Sequence, residues 1–264
     1  METRLLPCDE VRIAMHVHGR GPLCVLLHGY PLDHRMWLDT LRSPIATQRT
    51  LVAIDLRGHG QSPFAGDAVH TMDLLANDVQ NAIKTLGDEP ADVVGLSMGG
   101  YVALALVAAA PELVRSLVLS NTKASADGAA ARQARQTAID TVVKDGRRAI
   151  ATAMLPKLLA PGADALLQAR VLSMIEETAT ETIVADLRGL AARPDRSDLL
   201  ARIAVPTLAV VGEHDAITPV ADAEFLATHI PGGRMAVVPG AGHLTPMEAP
   251  VAFAAAVGGF WAGQ

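Results

Sequence analysis

Gly95-Leu96-Ser97-Met98-Gly99 sets a serine between two glycines. It directly follows the apolar run Ala91–Val94 and heads the almost wholly apolar stretch Met98–Ala109. A strand that turns sharply into a helix needs neighbours without bulky side chains, and it pushes the serine hydroxyl out at the carboxyl edge of a sheet. The free N–H groups of the helix start favour negative charge beside it. A hydroxyl is a weak nucleophile until a base takes its proton. His243, in Pro239-Gly240-Ala241-Gly242-His243, follows the last β-type run and is the candidate base. An imidazole base needs a carboxylate to fix its tautomer. Asp215 stands just past the run Thr207–Val211, with Glu213 as its rival. Another position for the acid, after Ser116–Ser120, holds Asn121, an amide that cannot serve. For the oxyanion of an acyl-transfer intermediate, the candidate donors are the N–H groups of Met98 and Tyr30. Pro31, next in the chain, has none.

These residues require strands that all deliver their carboxyl ends to one rim. Short β-type runs occur at Val11–Val17, Leu23–Leu27, Thr50–Ile54, Ala91–Leu96, Ser116–Ser120, Thr207–Val211 and Arg234–Val238. Most are continuous in Val, Leu, Ile and Ala, as in a largely parallel sheet covered on both faces. Helices are expected over His34–Ile45, Thr71–Leu86, Met98–Ala109, Pro219–His229 and Pro246–Phe260. Lys123 to Ile203 breaks the alternation. It holds only helical segments, Asp127–Lys144, Arg147–Leu159, Asp164–Glu177 and Thr180–Ala191, so it reads as an insertion between two strands. The expected division is a core of residues 1–122 and 204–264 with a helical cap at 123–203.

Composition removes other classes. The 264 residues carry 22 Lys and Arg against 28 Asp and Glu, a net charge of −6, with no basic cluster for a phosphate backbone. Aromatic residues are 3% of the chain, which leaves little surface for base stacking. Of two cysteines, Cys24 sits inside an apolar run and is expected to be a buried thiol. No apolar stretch reaches membrane-spanning length and no signal-type leader stands at the start, so a cytoplasmic protein is expected. The histidines, acids and cysteines form no HExxH or CxxC pattern, and no metal or cofactor is expected. Asp55-Leu56-Arg57-Gly58-His59-Gly60-Gln61-Ser62 is read as a loop braced by Arg57, and His28 as a support for the Tyr30 loop.

Taken in order, His28-Gly29-Tyr30-Pro31, the Asp55–Ser62 block, Gly95–Gly100, Gly212-Glu213-His214-Asp215 and Gly240–His243 resemble the α/β-hydrolase superfamily. The resemblance implies an eight-stranded, mostly parallel sheet flanked by helices, with a helical cap inserted before the acid-bearing strand. Within the superfamily the chain is similar to small bacterial carboxylesterases, 3-oxoadipate enol-lactonases and cofactor-free haloperoxidases. The expected function is hydrolysis of small, largely apolar carboxylic esters or lactones through Ser97, His243 and Asp215. Alternatives are a lactonase for acyl-homoserine lactones or enol-lactones, a perhydrolase, or a non-catalytic binding protein on the same fold. Pro31 is the residue that brings perhydrolysis in, since perhydrolase-type relatives carry a proline there. Pocket candidates are Pro31, Met154, Leu155, Leu158, Ile217 and Leu244. The expected partner is a small ester or lactone, with neither nucleic acid nor membrane.

Overall fold

Runs of Val, Leu and Ile have no polar face to offer water, so they form strands that must be covered on both sides. The computed structural model describes residues 2–8 and 11–263. Its strands are β1 (Glu2–Cys8), β2 (Val11–Gly19), β3 (Leu23–Leu27), β4 (Thr50–Asp55), β5 (Ala91–Leu96), β6 (Val114–Ser120), β7 (Thr207–Gly212) and β8 (Arg234–Val238). They form one sheet in the order β1-β2-β4-β3-β5-β6-β7-β8. β1 pairs antiparallel with β2, and β2 antiparallel with β4; every other pairing is parallel. β5 is buried along its whole length, as are Cys24–Leu27 of β3.

The chain leaves β3 toward β4 on one side and reaches β5 on the other. In open parallel sheets a crevice opens at such a reversal, beyond the carboxyl ends of the strands. Tyr30 follows β3 and Ser97 follows β5, so both stand at that crevice.

The helices are α1 (Leu38–Leu41), α2 (Met72–Leu86), α3 (Met98–Ala109), α4 (Ala129–Asp145), α5 (Arg147–Leu158), α6 (Ala165–Glu177), α7 (Thr180–Ala192), α8 (Ser197–Leu200), α9 (Val220–His229), α10 (Thr245–Glu248) and α11 (Pro250–Ala262). Thr71 caps α2 by accepting from the Leu74 N–H at 3.1 Å, satisfying one orphan donor of the first turn. α3 is buried from Met98 to Val107, which its all-apolar sequence demands. Helices α4–α8 fill the chain between β6 and β7, where the sequence predicted helices alone. None of the described helices is long and apolar enough to cross a membrane.

Two expected helices are broken. His34–Ile45 resolves into a 3-10 turn (His34–Trp37), α1 and a second 3-10 turn (Pro44–Thr47). The His34 N–H and ring are both drawn to Asp55, at 2.8 and 2.9 Å, and Pro44 has no N–H to extend a helix. Pro246–Phe260 divides at Ala249 into α10 and α11. Pro250 opens the second helix, where its missing donor costs least.

The inserted helices are fastened to the core by polar contacts of α7 and the residues before it. Thr178 Oγ1 donates to the Pro31 carbonyl at 3.0 Å, and Thr182 Oγ1 to the Gly58 carbonyl at 3.1 Å. Asp186 sits fully buried between His59 and His70. Its Oδ1 accepts from His70 Nδ1 at 2.7 Å, and its Oδ2 lies 2.9 Å from His59 Nε2. His59 Nδ1 faces the Arg57 carbonyl at 3.1 Å and must donate there. His59 Nε2 and Asp186 Oδ2 are in close contact but lack hydrogen-bond geometry. Burial pulls the His59 pKa down, but the adjacent Asp186 carboxylate, the Arg57 carbonyl and the Asp55 charge together outweigh it and the net shift is upward. Gly189 gives α7 its close approach: a Cβ there would stand 1.7 Å from the His70 carbonyl oxygen.

Candidate active site

Ser97 has φ 53° and ψ −112°, a conformation that side-chain-bearing residues rarely adopt. Its neighbours make the turn possible. A Cβ on Gly95 would fall 2.3 Å from the Gly99 carbonyl oxygen, and one on Gly99 would fall 2.2 Å from that of Leu27. The segment is pinned from outside. Ser97 N–H donates to the Ser120 carbonyl at 2.9 Å, and Thr122 Oγ1 donates to the Ser97 carbonyl at 2.8 Å.

Asp215 and His243 meet as the sequence predicted. His243 Nδ1 lies 2.8 Å from Asp215 Oδ2 and 3.0 Å from Oδ1, and both residues are buried. The carboxylate also accepts from the N–H groups of Ile217 and Thr218, from Thr218 Oγ1 and from Asn121 Nδ2. Burial raises its pKa, but the His243 hydrogen bond and these other donors outweigh that and hold it at about 2. It is a carboxylate at any ordinary assay pH and accepts the Nδ1 proton. That leaves Nε2 as the free base nitrogen. Ser97 Oγ and His243 Nε2 are not joined by a hydrogen bond here; catalytic contacts often tighten only when substrate enters. Glu213, the rival acid, is half exposed and accepts from the Gly240 N–H at 2.9 Å. It braces the His243 loop instead.

Asn121 is more than a missing carboxylate. It has φ 48°, its Nδ2 bridges Asp215 and the Gly242 carbonyl, and its Oδ1 accepts from Ser120 and Thr245. One side chain thus ties the nucleophile's strand neighbour, the acid and the base loop. Thr122 and Thr218 do similar work. None of the three was singled out from the sequence as a holder, because Asn and Thr after a strand are ordinary turn residues.

The Tyr30 loop abuts Ser97. A Cβ on Gly29 would stand 3.4 Å from the Ser97 Cβ. Among the described residues neither the Tyr30 N–H nor the Met98 N–H has a protein acceptor. His28 supports this loop. Its Nε2 accepts the Leu56 N–H at 3.0 Å, so Nδ1 carries the proton and donates to the Gly29 carbonyl at 3.1 Å. Burial and the neighbouring His59 push the His28 pKa down to about 4, which keeps this tautomer neutral. The Tyr30–Pro31 peptide is cis.

Arg57 braces the Asp55–Ser62 loop as expected, through Asp78 at 2.6 and 2.7 Å and Asp67 at 2.6 Å. Asp55 gathers His16, His34 and the Gln61 N–H. The His16 and His34 rings stack at 3.4 Å with 14° between planes. Each ring turns a nitrogen to the Asp55 carboxylate, His16 Nε2 at 3.0 Å and His34 Nδ1 at 2.9 Å. Cys24 is a buried free thiol whose pKa burial pushes well up, an inert packing residue.

A cavity of about 360 Å³ lies between the sheet edge and the inserted helices. Tyr30, Tyr101, Met154 and Ile217 line it, so two of the expected pocket residues are there. Leu155 instead faces a separate hollow with Pro156 and Leu159. Leu158 and Leu244 are buried in the core, and the Leu158 carbonyl accepts the His243 N–H at 3.2 Å. Pro31 is not a wall of this cavity, and its carbonyl is taken by Thr178. The walls are less apolar than the sequence suggested. Lys123, Arg135 and Lys157 are among them. A larger hollow, about 570 Å³ beside Ile45 and Ala254, touches none of these groups.

Sheet order, elbow and loop positions define a class, and comparison with known proteins agrees. The family model for the alpha/beta hydrolase fold matches residues 22–250, and the chain belongs to that family. Proteins similar to it include esterases and a lactonase. A pimeloyl-[acyl-carrier protein] methyl ester esterase of Neisseria meningitidis is 33% identical over 87% of this chain and 90% of its own length. A 3-oxoadipate enol-lactonase of Acinetobacter baylyi is 28% identical over 94% of this chain and 92% of its own. A thermophilic esterase from Thermogutta terrifontis superposes with a TM-score of 0.94 at 31% identity, covering 100% of this chain and 99% of that one.

Proposed function

We propose that this protein is a cofactor-free carboxylic ester hydrolase working through an acyl-enzyme on Ser97. One observation carries the reading. The buried His243–Asp215 pair and the strained Ser97 turn are held at the same sheet edge by Asn121 and Thr122. Ser97 Oγ attacks the acyl carbon while His243 Nε2 takes its proton. The Nδ1–H bond to Asp215 stabilises the imidazolium. The Tyr30 and Met98 N–H groups receive the oxyanion, and each such donor contributes about 10²–10³ in rate. As the tetrahedral intermediate collapses, His243 gives its proton to the leaving alcohol. Water then enters, loses a proton to the same nitrogen and releases the acid.

A lactone is a cyclic ester, so the same steps open it, the alcohol remaining on the product. The similarity to an enol-lactonase supports including lactones among the substrates. Residues 123–203 act as a cap over the cavity. The expected result with p-nitrophenyl butyrate is a burst of nitrophenol followed by steady turnover, measured by stopped-flow absorbance. Stoichiometric binding of the ester without turnover would instead mark a binding protein on this fold.

A further inference from the structure

The cap's leucines and methionines suggested an uncharged substrate, but the cavity walls have a different balance. Three cations, Lys123, Arg135 and Lys157, face one carboxylate, Asp127, in a chain of net charge −6. Asp127 is already neutralised. Arg193 Nη1 lies 2.7 Å from it and Arg135 Nε 3.1 Å. The two arginines exceed its charge, and both lysines remain. Among the described residues neither Lys123 nor Lys157 has a carboxylate at ion-pair distance. Lys123 is partly buried, and its charge reaches Asp222 without forming an ion pair with it. A half-buried ammonium without a counter-ion is costly unless a ligand supplies one.

The position of Lys123 is fixed by the catalytic segments themselves. It follows Thr122, which holds the Ser97 carbonyl, and Asn121, which holds Asp215. Lys157 comes from α5, on the inserted helices. The cavity is therefore lined by a cation from the core and a cation from the cap, with Met154 and Ile217 as apolar wall. Binding pockets of this size combine apolar walls with a few fixed polar groups that set orientation.

We propose that the substrate's acyl part carries a carboxylate remote from the scissile carbonyl, and that Lys123 and Lys157 bind it. This inference rests on the ester hydrolase reading above and names its substrate class: a monoester or lactone of a dicarboxylic acid. Lys123 and Lys157 are specificity residues and take no part in bond breaking.

The test compares mono-p-nitrophenyl adipate with p-nitrophenyl hexanoate, and the pimelate with the heptanoate, each pair matched in acyl length. Wild type is expected to favour the anionic member of at least one pair in kcat/KM, and the preference should shrink as salt is raised. Lys123→Met keeps the packing of the stem and removes the charge. It is expected to lower kcat/KM for the anionic ester about tenfold to hundredfold, the usual weight of a charged hydrogen bond. The neutral ester should be unaffected, and Lys123→Arg should restore much of the preference. Lys157→Met, on an exposed helix position, should lower the anionic ester alone and covers the case in which Lys123→Met does not fold. Preference for the neutral ester in both pairs overturns the proposal, as does an equal fall for both substrates in the two Lys→Met variants. If wild type cleaves no ester of either kind, the hydrolase reading itself fails; neutral turnover without anionic preference refutes only the carboxylate site.

Discussion

Ser97→Ala is expected to lower kcat for p-nitrophenyl butyrate by about 10⁶-fold, the scale on which loss of a serine nucleophile is felt. The fold should be unchanged. Alanine keeps the Cβ, and the pins on this turn hold the Ser97 backbone, through the Ser120 carbonyl and the Thr122 hydroxyl, without involving the Ser97 hydroxyl. Glycines at 95 and 99 continue to relieve the crowding that φ 53° creates. Circular dichroism and a thermal melt matching wild type, with activity lost, is the expected combination. Retained activity would remove Ser97 from the chemistry.

The second large effect belongs to Asp215. Asp215→Asn replaces an acceptor-only group with one that presents an N–H toward His243 Nδ1. The imidazole then moves its proton to Nε2, and the nitrogen that should receive the Ser97 proton is blocked. The expected fall in kcat is about 10⁴-fold with a modest change in KM. Stability should respond to pH in a defined direction. The folded carboxylate is held at about 2, below its ordinary value. Its stabilising contribution is therefore complete above the ordinary carboxylate range and is lost as pH falls through about 2. The Asn variant lacks that acid-side loss, which melts across an acid pH series would show.

Much of this was legible in the sequence because the signals are local. Leu23–Leu27, Ala91–Leu96 and Arg234–Val238 have the predicted bounds, since apolar runs between turn residues have little choice. Ser97, Asp215 and His243 each follow a strand, and parallel strands deliver their ends to one rim. β1 was not legible as a strand. Residues 2–7 are a largely exposed edge segment with charges and a proline, and only the pairing with β2 makes it a strand. The two broken helices failed on prolines and on the pull of Asp55 on His34, effects that depend on what the chain meets next. Contacts that bridge distant segments left no signal. Asp186 meets His70 across 116 positions and Asn121 meets Asp215 across 94. The same holds for the cavity. Cap leucines announced an apolar lining, and only the folded chain brings Lys123 and Lys157 to one space.

Ser97 is the proposed group that carries the acyl chain. The direct measurement is covalent labelling with a fluorophosphonate, followed by proteolysis and mass spectrometry of the adduct. The expected result is one adduct per chain, on the peptide containing Ser97, formed as activity disappears and absent from Ser97→Ala. An adduct on another residue, or labelling of Ser97→Ala at the wild-type rate, would contradict it.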